Sequence, residues 1–427
     1  MKKEKKKNIF KTTLKFIILF IILLSIFCIS MIISYALPNE RIQGHIKESE
    51  NSITYLSNNM MMLGNNIKGA EMDKFTDILI LNTSMNKGKY AGESIFSKAF
   101  GNSRYSNEGE DQLLSFQQTV NDENLQNNQE YARYWHGIQT IIRPLLLFFN
   151  YEEICYIFII LTFILMAYAI YGISKNLNYI YGIAFLISML IVCFFVAPFS
   201  IQYTGMFMAM LIMMILVNYL YKTKKEYLYP YLFFIAGGCA TFFDLLTVPV
   251  LTLGMPLVMV ILLKTKEGTN IKDIIIEMIK LSFLWGIAYA TLWASKWIIA
   301  SIILHRNVIT EALECILFRT NGNEQYPATR LGAIRENLSY IFNSVTILVY
   351  ISIFVIWIIA LIRKRKNIKD MKSIIPLILV ALYPYAWYFA FAGHSTIHAW
   401  FTYRSQAIAI FAILCAMIET IKIEKGE

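Results

Sequence analysis

The stretch LKFIILFIILLSIFCISMIISYAL, residues 14–37, is an unbroken apolar run with one charged residue, and it indicates the class of the protein. A helix needs about 20 mostly apolar residues to cross the roughly 30 Å hydrocarbon core of a bilayer. The run is too long for the apolar core of a cleaved signal peptide, and it lacks a small-residue cleavage site. We therefore interpret it as an uncleaved first membrane span.

The composition of the whole chain agrees with a membrane protein. It is 57% hydrophobic and 16% charged, whereas soluble domains are about 45–50% apolar and about 25% charged. The predicted fold class is therefore all-α, a polytopic integral membrane protein with about ten transmembrane helices. The ten predicted spans lie near residues 14–37, 151–173, 178–199, 201–221, 228–244, 246–263, 281–304, 340–362, 373–392 and 404–421.

The distribution of basic residues predicts the orientation, since lysine and arginine accumulate in cytoplasmic loops. With the N-terminus inside and the spans alternating, more than half of the 39 basic residues fall in cytoplasmic segments. These segments are 1–15, 174–178, 222–228, 264–280, 363–372 and 422–427. Both termini are therefore predicted to be cytoplasmic in the cell membrane. The net charge of +10 reflects this topology and does not indicate a nucleic-acid partner.

Five regions follow from the predicted topology. The cytoplasmic tail and first span (1–37) precede a long external loop (38–150), spans two to seven (151–304), a second external loop (305–339), and the last three spans with a cytoplasmic tail (340–427). We call residues 38–150 the first polar segment and residues 305–339 the second polar segment.

The first polar segment is too long to be a mere connection, and it is the predicted location of the active site. Apolar residues at helical spacing in 51–67 and 109–126 predict amphipathic helices lying on the membrane. The apolar stretch 138–150, interrupted by Arg143 and Pro144, is expected to form an interfacial or re-entrant helix.

All five histidines and most acidic residues between the termini fall on the predicted external side. Asp77 precedes the apolar run ILIL; a half-buried carboxylate there could have a raised pKa and act as a base, or it could be a helix N-cap. Glu40 follows the first span directly. Asp244 closes the predicted fifth span, where a carboxylate is costly; it either serves function or lies in the headgroup layer.

Several basic residues lie where a lipid phosphate could be bound. Lys296, within the predicted seventh span, either extends to the interface or contacts a lipid phosphate. The planar guanidinium group binds phosphate oxygens in a bidentate manner, so the arginines near the predicted external ends are candidates for a phosphate clamp or are simple interface anchors. These arginines are Arg319, Arg330, Arg335 and Arg404.

The stretch AGHSTIHAWFTYR, residues 392–404, places two histidines and an arginine between two apolar runs. In a helix, His394 and His398 would share one face and could bind a metal, but the intervening residues STI lack the acidic residue of a zinc protease motif. Binding of a phosphate or sugar by these histidines and Arg404 is one alternative. An interfacial aromatic belt is the other.

The stretch ARYWHG, residues 132–137, has the same composition on the same predicted side. It contributes Arg133 and His136. We expect the two stretches to line one substrate cavity.

These residues resemble the GT-C superfamily of membrane glycosyltransferases, which includes the protein O-mannosyltransferases and the lipid A aminoarabinose transferases. The whole chain is similar in architecture, and DKFTDILILN (73–82), RYWHG and HSTIHAWFTYR resemble motifs of a bacterial branch. Members usually carry an acidic pair soon after the first span, whereas PNER (38–41) supplies Glu40 alone. The resemblance implies a catalytic role for Asp77, with Glu40 second.

The resemblance also implies a mechanism and partners. A sugar on polyprenyl phosphate would enter from the outer leaflet, and an external carboxylate would deprotonate an acceptor hydroxyl or orient a divalent cation, which some members need. The hydroxyl would displace polyprenyl phosphate, inverting the anomeric centre, while arginine and lysine hold the phosphate. The acceptor would be an envelope glycan, lipid or protein. No metal ligand is assigned, and membrane lipids are the remaining partners.

Two other functions remain open. A transporter or flippase of envelope lipids would be expected to show paired halves and ionisable groups near mid-membrane, and the sequence shows neither. A non-catalytic partner in envelope polysaccharide assembly would tolerate neutralisation of the external acidic residues.

Overall fold

The computed structural model describes residues 2–59, 67–107, 109, 111–363 and 371–421. Within these ranges the regular secondary structure is helical, and no β-strand occurs. The predicted features that lie outside the described residues are residues 60–66 and 110 of the two amphipathic stretches, residues 364–370 of one cytoplasmic segment, and the whole of the segment 422–427.

The helices fall into four groups along the chain. The first helix and those of the first polar segment are α1 (Lys2–Ala36), α2 (Asn39–Glu48), α3 (Glu50–Asn58), α4 (Lys74–Met85), α5 (Ile95–Gly101), α6 (Gln112–Asn121) and α7 (Gln139–Leu145). The central helices are α8 (Tyr151–Asn176), α9 (Tyr179–Ile191), α10 (Ile201–Lys222), α11 (Tyr229–Phe243), α12 (Leu251–Lys266) and α13 (Ile271–Leu304). The second polar segment forms α14 (Val308–Asn321) and α15 (Arg330–Ile341). The last group is α16 (Ser344–Arg363), α17 (Ile375–Ala381), α18 (Tyr383–Ala390), α19 (Ala392–Ile397), α20 (Ala399–Thr402) and α21 (Ala407–Glu419).

Seven helical stretches of the described chain are long and apolar enough to cross a membrane, against ten predicted from hydropathy. The all-helical prediction is confirmed, and these stretches are compatible with a multi-pass membrane protein, whereas the number of ten is not confirmed. The seven are Phe10–Ala36, Tyr151–Asn176, Ile201–Lys222, Ile271–Leu304, Ser344–Arg363, Lys372–Ala390 and Ala399–Glu419.

The predicted spans 178–199, 228–244 and 246–263 form shorter helices, because the chain turns inside or between them. α9 ends before Cys193, which has a left-handed backbone (φ +53°), and a 3₁₀ helix with an internal proline follows. Between α11 and α12 the chain forms irregular turns, with Leu246 at φ +68°. Hydropathy detects neither break, since both stretches are apolar.

Helix ends that the predicted topology assigns to one side are in contact. At the end of the bundle that carries both polar segments, which we call the polar end, the Gln202 amide donates to Asp244 (3.1 Å) and His394 contacts the Leu246 carbonyl (2.7 Å). At the opposite end, the Asn176 amide donates to the Asn218 side chain (2.8 Å). These contacts are compatible with antiparallel neighbouring helices, and the side of the membrane on which each end lies stays a prediction.

The first polar segment is a small helical unit built around α4, and its core continues into the bundle. Ile78, Ile80 and Leu81 of α4 are buried together with Ile42 of α2 and Ile201 of α10. Burial of such side chains is worth about 1.5–3 kcal/mol each, which fixes α4 against the start of α10.

Helices α3 and α6 lie within the two stretches predicted to form amphipathic helices, and part of each apolar face is buried in the protein. Ile53 of α3 and Phe116 of α6 are buried in the core around α4. The stretch 138–150 forms the short helix α7, and Arg143 within it is buried and donates to the carbonyls of Ser34 (3.0 Å) and Ser84. Ile53, Phe116 and Arg143 therefore belong to the protein interior, whereas other apolar side chains of these stretches, such as Leu114 and Phe148, are exposed.

Candidate functional site

The candidate site begins at the N-terminus of α4, which carries two acidic residues four positions apart. Asp73 is the N-cap, and its Oδ1 accepts the N–H of Thr76 at 2.8 Å. Its own N–H donates to Ser200 Oγ (2.7 Å), the N-cap residue of α10. The N-cap of α4 is therefore Asp73 and not Asp77, and the N-termini of α4 and α10 are in contact.

Asp77 is completely engaged by neighbouring groups. Its Oδ2 accepts the Tyr151 hydroxyl at 2.5 Å and lies 3.7 Å from Lys74 Nζ, and its Oδ1 accepts the Gln202 N–H at 3.4 Å. Lys74 Nζ also donates to the Tyr151 hydroxyl at 2.7 Å. Burial raises the pKa of Asp77, while Lys74 and Tyr151 oppose that shift.

The arrangement makes Asp77 an anchor for α10. A carboxylate at a helix N-terminus is stabilised by the unsatisfied N–H groups and the helix dipole. Asp77 belongs to α4, yet its carboxylate accepts one of these N–H groups at the N-terminus of α10.

Asp244 lies at the same helix end. Its Oδ1 accepts from the Gln202 side chain (3.1 Å), from the Thr247 N–H (3.0 Å) and from the Thr247 hydroxyl. These hydrogen bonds stabilise the turn between α11 and α12, which separates the predicted fifth and sixth spans. Gln202 therefore connects Asp77, through its main chain, to Asp244, through its side chain.

Asp73 differs from Asp77 in having a free oxygen. It is fully buried, and its Oδ2 has no hydrogen-bond partner among the described residues. Burial, with a smaller contribution from the Asp77 carboxylate, raises the pKa of Asp73 to about 7. A carboxylate that titrates near neutrality is suited to general base catalysis.

Arg404 lies close to Asp73 and binds the segment of the chain that precedes Asp73. It is fully buried, it donates to the carbonyls of Gly69 (2.9 Å) and Glu71 (3.0 Å), and its charge acts on Asp73. The guanidinium group also lies over the rings of Tyr203 (4.3 Å) and Tyr403 (4.9 Å). The structure therefore brings one residue of the predicted phosphate clamp to the acidic site.

The two histidines of the stretch 392–404 lie beside this site. Their rings are 4.7 Å apart, His394 donates from Nε2 to the Leu246 carbonyl, and His398 Nε2 accepts from Arg319 (2.9 Å). Burial, followed by the charge of Arg319, lowers the pKa of His398 to about 3. Burial also lowers the pKa of His394 well below its usual value. Both rings are therefore neutral.

The other stretch, 132–137, meets the same region from the opposite side. Arg133 pairs with Glu311 (3.1 Å) and lies over the Tyr131 ring (4.3 Å). Arg133 and Arg319 line one narrow gap that has no room for a water molecule. The stretch 132–137 therefore lines a closed gap with Arg319, and the stretch 392–404 reaches it only through the contact of His398 with Arg319.

His136 is buried in a turn of its own. It has a left-handed backbone (φ +54°), and its Nε2 donates to the Tyr131 carbonyl at 3.2 Å. Burial, with Lys296 second, lowers its pKa well below the usual value.

Lys296 fits neither of its two predicted roles. It is fully buried, and its Nζ donates to the Phe100 carbonyl (2.7 Å) and lies over the rings of Phe100 (4.8 Å) and Trp135 (5.7 Å). Phe100 is in the last turn of α5, where unsatisfied carbonyls favour a cation. Lys296 therefore fixes the first polar segment to α13.

Arg330 and Arg335 do not join Arg404. Arg330 donates to the carbonyls of Thr320 (2.6 Å) and Phe389 (2.9 Å), and so closes the ends of α14 and α18. Arg335 is exposed on α15. The four-arginine clamp is therefore not assembled, because Arg330 is committed to main-chain carbonyls.

Glu40 lies away from Asp77. It lines a cavity with Met85, at the other end of α4. Eight residues of helix separate Asp77 from Met85, which is roughly 12 Å at 1.5 Å per residue. The two residues predicted to be catalytic are therefore in different places.

A divalent cation does not fit the acidic site. No group of three or more His, Cys, Asp or Glu side chains that could hold a metal ion occurs in the described part of the chain. The Lys74 ammonium, 3.7 Å from Asp77 Oδ2, would repel a cation there. No step of the chemistry below therefore uses a metal.

Sequence reasoning named Asp77 but did not single out Lys74, Tyr151 or Gln202, which bind it. A polar residue inside a predicted span is a functional candidate by default, and Gln202 satisfies that criterion. Lys74 and Tyr151 carry no such signal.

Comparisons with family models, curated proteins and solved structures give no match for this chain.

Proposed function

We propose that the protein is a membrane glycosyltransferase that moves a sugar from a polyprenyl-phosphate donor to a cell-envelope acceptor, with Asp73 as the general base. The observation that supports this most is the buried Asp73 carboxylate, whose Oδ2 has no hydrogen-bond partner among the described residues and whose pKa burial raises to about 7. The GT-C resemblance of the surrounding motifs supplies the substrate class.

Asp73 is preferred to Asp77 because a base must accept a proton from substrate. Asp77 has its oxygens occupied by Tyr151, Lys74 and the α10 N-terminus. Asp73 Oδ1 caps α4 and leaves Oδ2 available. Asp77 then acts as a positioning residue, since its charge helps to raise the pKa of Asp73.

The reaction is a single displacement. Asp73 Oδ2 accepts the proton of an acceptor hydroxyl, and the hydroxyl oxygen forms a bond to the anomeric carbon of the donor sugar. The bond between that carbon and the phosphate oxygen breaks, and its electron pair leaves with polyprenyl phosphate. Arg404 is the nearest candidate to hold the phosphate, because its charge already acts on Asp73.

Access to Asp73 requires movement of the chain before it. Residues 67–73 form one 3₁₀ turn followed by irregular backbone. The Tyr403 hydroxyl and Arg404 hold them, both by donating to the Gly69 carbonyl (2.8 and 2.9 Å). In the proposed function, substrate phosphate replaces that carbonyl as a partner of Arg404 and releases the stretch.

The position of the buried charges favours a transferase over a transporter. Lys296 contacts α5 of the first polar segment, and Asp244 contacts the first turn of α10. Lys296 is eight residues, or roughly 12 Å, from the end of the 34-residue helix α13. Both charges therefore lie towards the polar end, whereas a transport path needs ionisable groups near mid-membrane.

The test is an assay of purified protein in lipid nanodiscs. Short-chain polyprenyl-phosphate sugars are supplied, and release of free polyprenyl phosphate is measured for wild type, Asp73→Asn and the exposed control Glu48→Gln. We expect release by wild type and the control, and a loss of about 100-fold or more in Asp73→Asn, the usual contribution of a general base.

Two results would contradict the proposal. Undiminished release by Asp73→Asn would remove Asp73 as the base. Absence of release by wild type with every donor sugar, in the presence and absence of cell-wall acceptor fragments, would move the assignment to transport or assembly.

A further inference from the structure

A second, open site lies in the first polar segment, apart from Asp73. It is a cavity of about 720 Å³ between α2, the end of α4 and the residues that follow α6. Ligand pockets usually enclose about 300–1,000 Å³ and are mostly apolar. This cavity has an ordinary size for a ligand site, but its lining is predominantly polar.

Five side-chain amides line the cavity, as many as the charged side chains. An amide both donates and accepts hydrogen bonds, so it matches a sugar hydroxyl, which does the same. Two of the amides are already fixed, because Asn39 and Gln43 both donate to the Met85 carbonyl (2.7 and 2.8 Å). The five amides are those of Asn39, Gln43, Asn86, Asn124 and Gln126.

The charges around the cavity nearly balance. Three lysines and two glutamates line it: Lys47, Lys87, Lys98, Glu40 and Glu123. A strongly anionic chain would meet the two carboxylates, and a cationic chain would meet the three ammonium groups. Mixed charges of this kind bind the hydroxyl groups of a neutral ligand from both sides.

Tyr90 adds an aromatic surface at the cavity. Its side chain is 55% exposed, and its ring offers an apolar face with a polar hydroxyl. The C–H face of a sugar ring can pack on such a surface while its hydroxyls contact the amides. Fixed amides, balanced charge and an exposed ring together match a neutral sugar chain.

We propose that this cavity binds a neutral oligosaccharide, the glycan chain of the acceptor. The identification of this oligosaccharide as the acceptor glycan rests on the proposed transferase function, whereas the binding of an oligosaccharide in the cavity does not. Met85 and Asn86 of the cavity and Asp73 lie at opposite ends of the 12-residue helix α4, roughly 18 Å apart. The cavity therefore holds a distal part of an extended glycan.

Gly44 allows the cavity to be filled without disturbing the fold. It lies in the wall contributed by α2, and a Cβ placed on it would have open space within 4 Å. Gly44→Trp therefore fills part of the cavity, while Gly44→Ala adds the same Cβ and leaves the cavity empty. Neither change removes a polar group.

The experiment measures Kd for cellotetraose, maltotetraose and chitotetraose with the full chain in nanodiscs, and for a four-unit glycerol phosphate oligomer as the anionic probe. We expect wild type and Gly44→Ala to bind a neutral tetrasaccharide within about twofold of each other. Gly44→Trp should weaken that binding by about tenfold or more.

Tyr90→Ala supplies a second variant, and Tyr55→Ala is its matched control, since Tyr55 is an exposed tyrosine (67%) of the same segment outside the cavity. Binding should weaken by about fivefold or more in Tyr90→Ala and stay within about twofold in Tyr55→Ala.

Three results would overturn the inference: no neutral tetrasaccharide binds wild type, Gly44→Trp binds as well as Gly44→Ala, or the glycerol phosphate oligomer binds more tightly than all three sugars. Polyprenyl phosphate release is measured in parallel. Cavity-dependent tetrasaccharide binding without any release would refute the transferase but keep the oligosaccharide site. Release of polyprenyl phosphate without cavity-dependent tetrasaccharide binding would refute the oligosaccharide site and keep the transferase.

Discussion

Replacing Asp73 by asparagine should change the free energy of unfolding in a way that depends on pH, and this tests the assignment of the base without a known substrate. The pKa of the Asp73 carboxyl is raised by burial from 3.8 to about 7. The folded state therefore keeps the proton over a pH range in which the unfolded state has lost it. Stability is greatest below about pH 4, falls as pH rises, and becomes level above about pH 7.

The size of the effect follows from the pKa difference. Each unit corresponds to about 1.36 kcal/mol, so ionised Asp73 destabilises the folded protein by about 4 kcal/mol above pH 7. Asparagine does not ionise, and it is as good an N-cap as aspartate. Its unpartnered amide donor costs about 1–3 kcal/mol at every pH, which leaves a net stabilisation at pH 8.

The quantity to measure is the change in that difference with pH. The free energy of unfolding is determined by steric trapping in bicelles at pH 5 and pH 8 for wild type and Asp73→Asn. The variant should gain about 3 kcal/mol relative to wild type between the two pH values. This change is independent of the cost of the amide, which cancels.

Asp77→Asn is the matched comparison, and it should destabilise the folded protein, whereas Asp73→Asn should stabilise it at pH 8. It leaves the buried Lys74 ammonium without its counterion, and breaking a buried pair in this way costs about 3–5 kcal/mol. A pH-independent difference for Asp73→Asn, or stabilisation by Asp77→Asn, would refute the distinction drawn between the two carboxylates.

Three other outcomes are expected. The rate of sugar transfer should rise with pH to a plateau, with a midpoint near 7, because Asp73 must be deprotonated to act; a rate that is flat from pH 5 to 8 would contradict this. Lys296→Met should lower the thermal unfolding midpoint, since loss of the charged hydrogen bond to the Phe100 carbonyl costs about 1.5–3 kcal/mol, while donor Kd stays unchanged; weaker donor binding at full stability would instead indicate a phosphate contact. Glu311→Gln should cost about 1 kcal/mol in dilute buffer and less in 1 M salt, because its pair with Arg306 (2.6 Å) is partly exposed and screened; equal costs at both salt concentrations would oppose this.

The sequence identified the segments that contribute residues to the candidate site, but it did not predict which groups those residues contact. The stretches 73–82, 132–137 and 392–404 were each identified, and Arg319, which contacts His398, lies with Arg133 at one closed gap. The roles of Asp77, Glu40 and Lys296 were not readable, because each depends on a partner distant in sequence. Lys296 is an example, since its acceptor, Phe100, is 196 residues away.

The sequence by itself determined the class of the fold, which the structure confirms as all-helical, and it predicted the direction of the helices. Long apolar runs and the positions of lysine and arginine are local properties, and they remain informative without knowledge of any contact. The concentration of histidine, arginine and aromatic residues towards one end followed from the same pattern.

Tertiary structure decided which of the two carboxylates at the start of α4 keeps a free oxygen. Asp73 and Asp77 are one helical turn apart and equally acidic in sequence, yet Asp77 accepts from Tyr151 and Gln202, while Asp73 Oδ2 has no partner within the part of the chain that the structure describes. Tertiary structure also decided that the apolar stretches at 178–199 and 228–263 break into short helices. Burial and pairing depend on groups that folding brings together, and a local pattern of residues does not contain them.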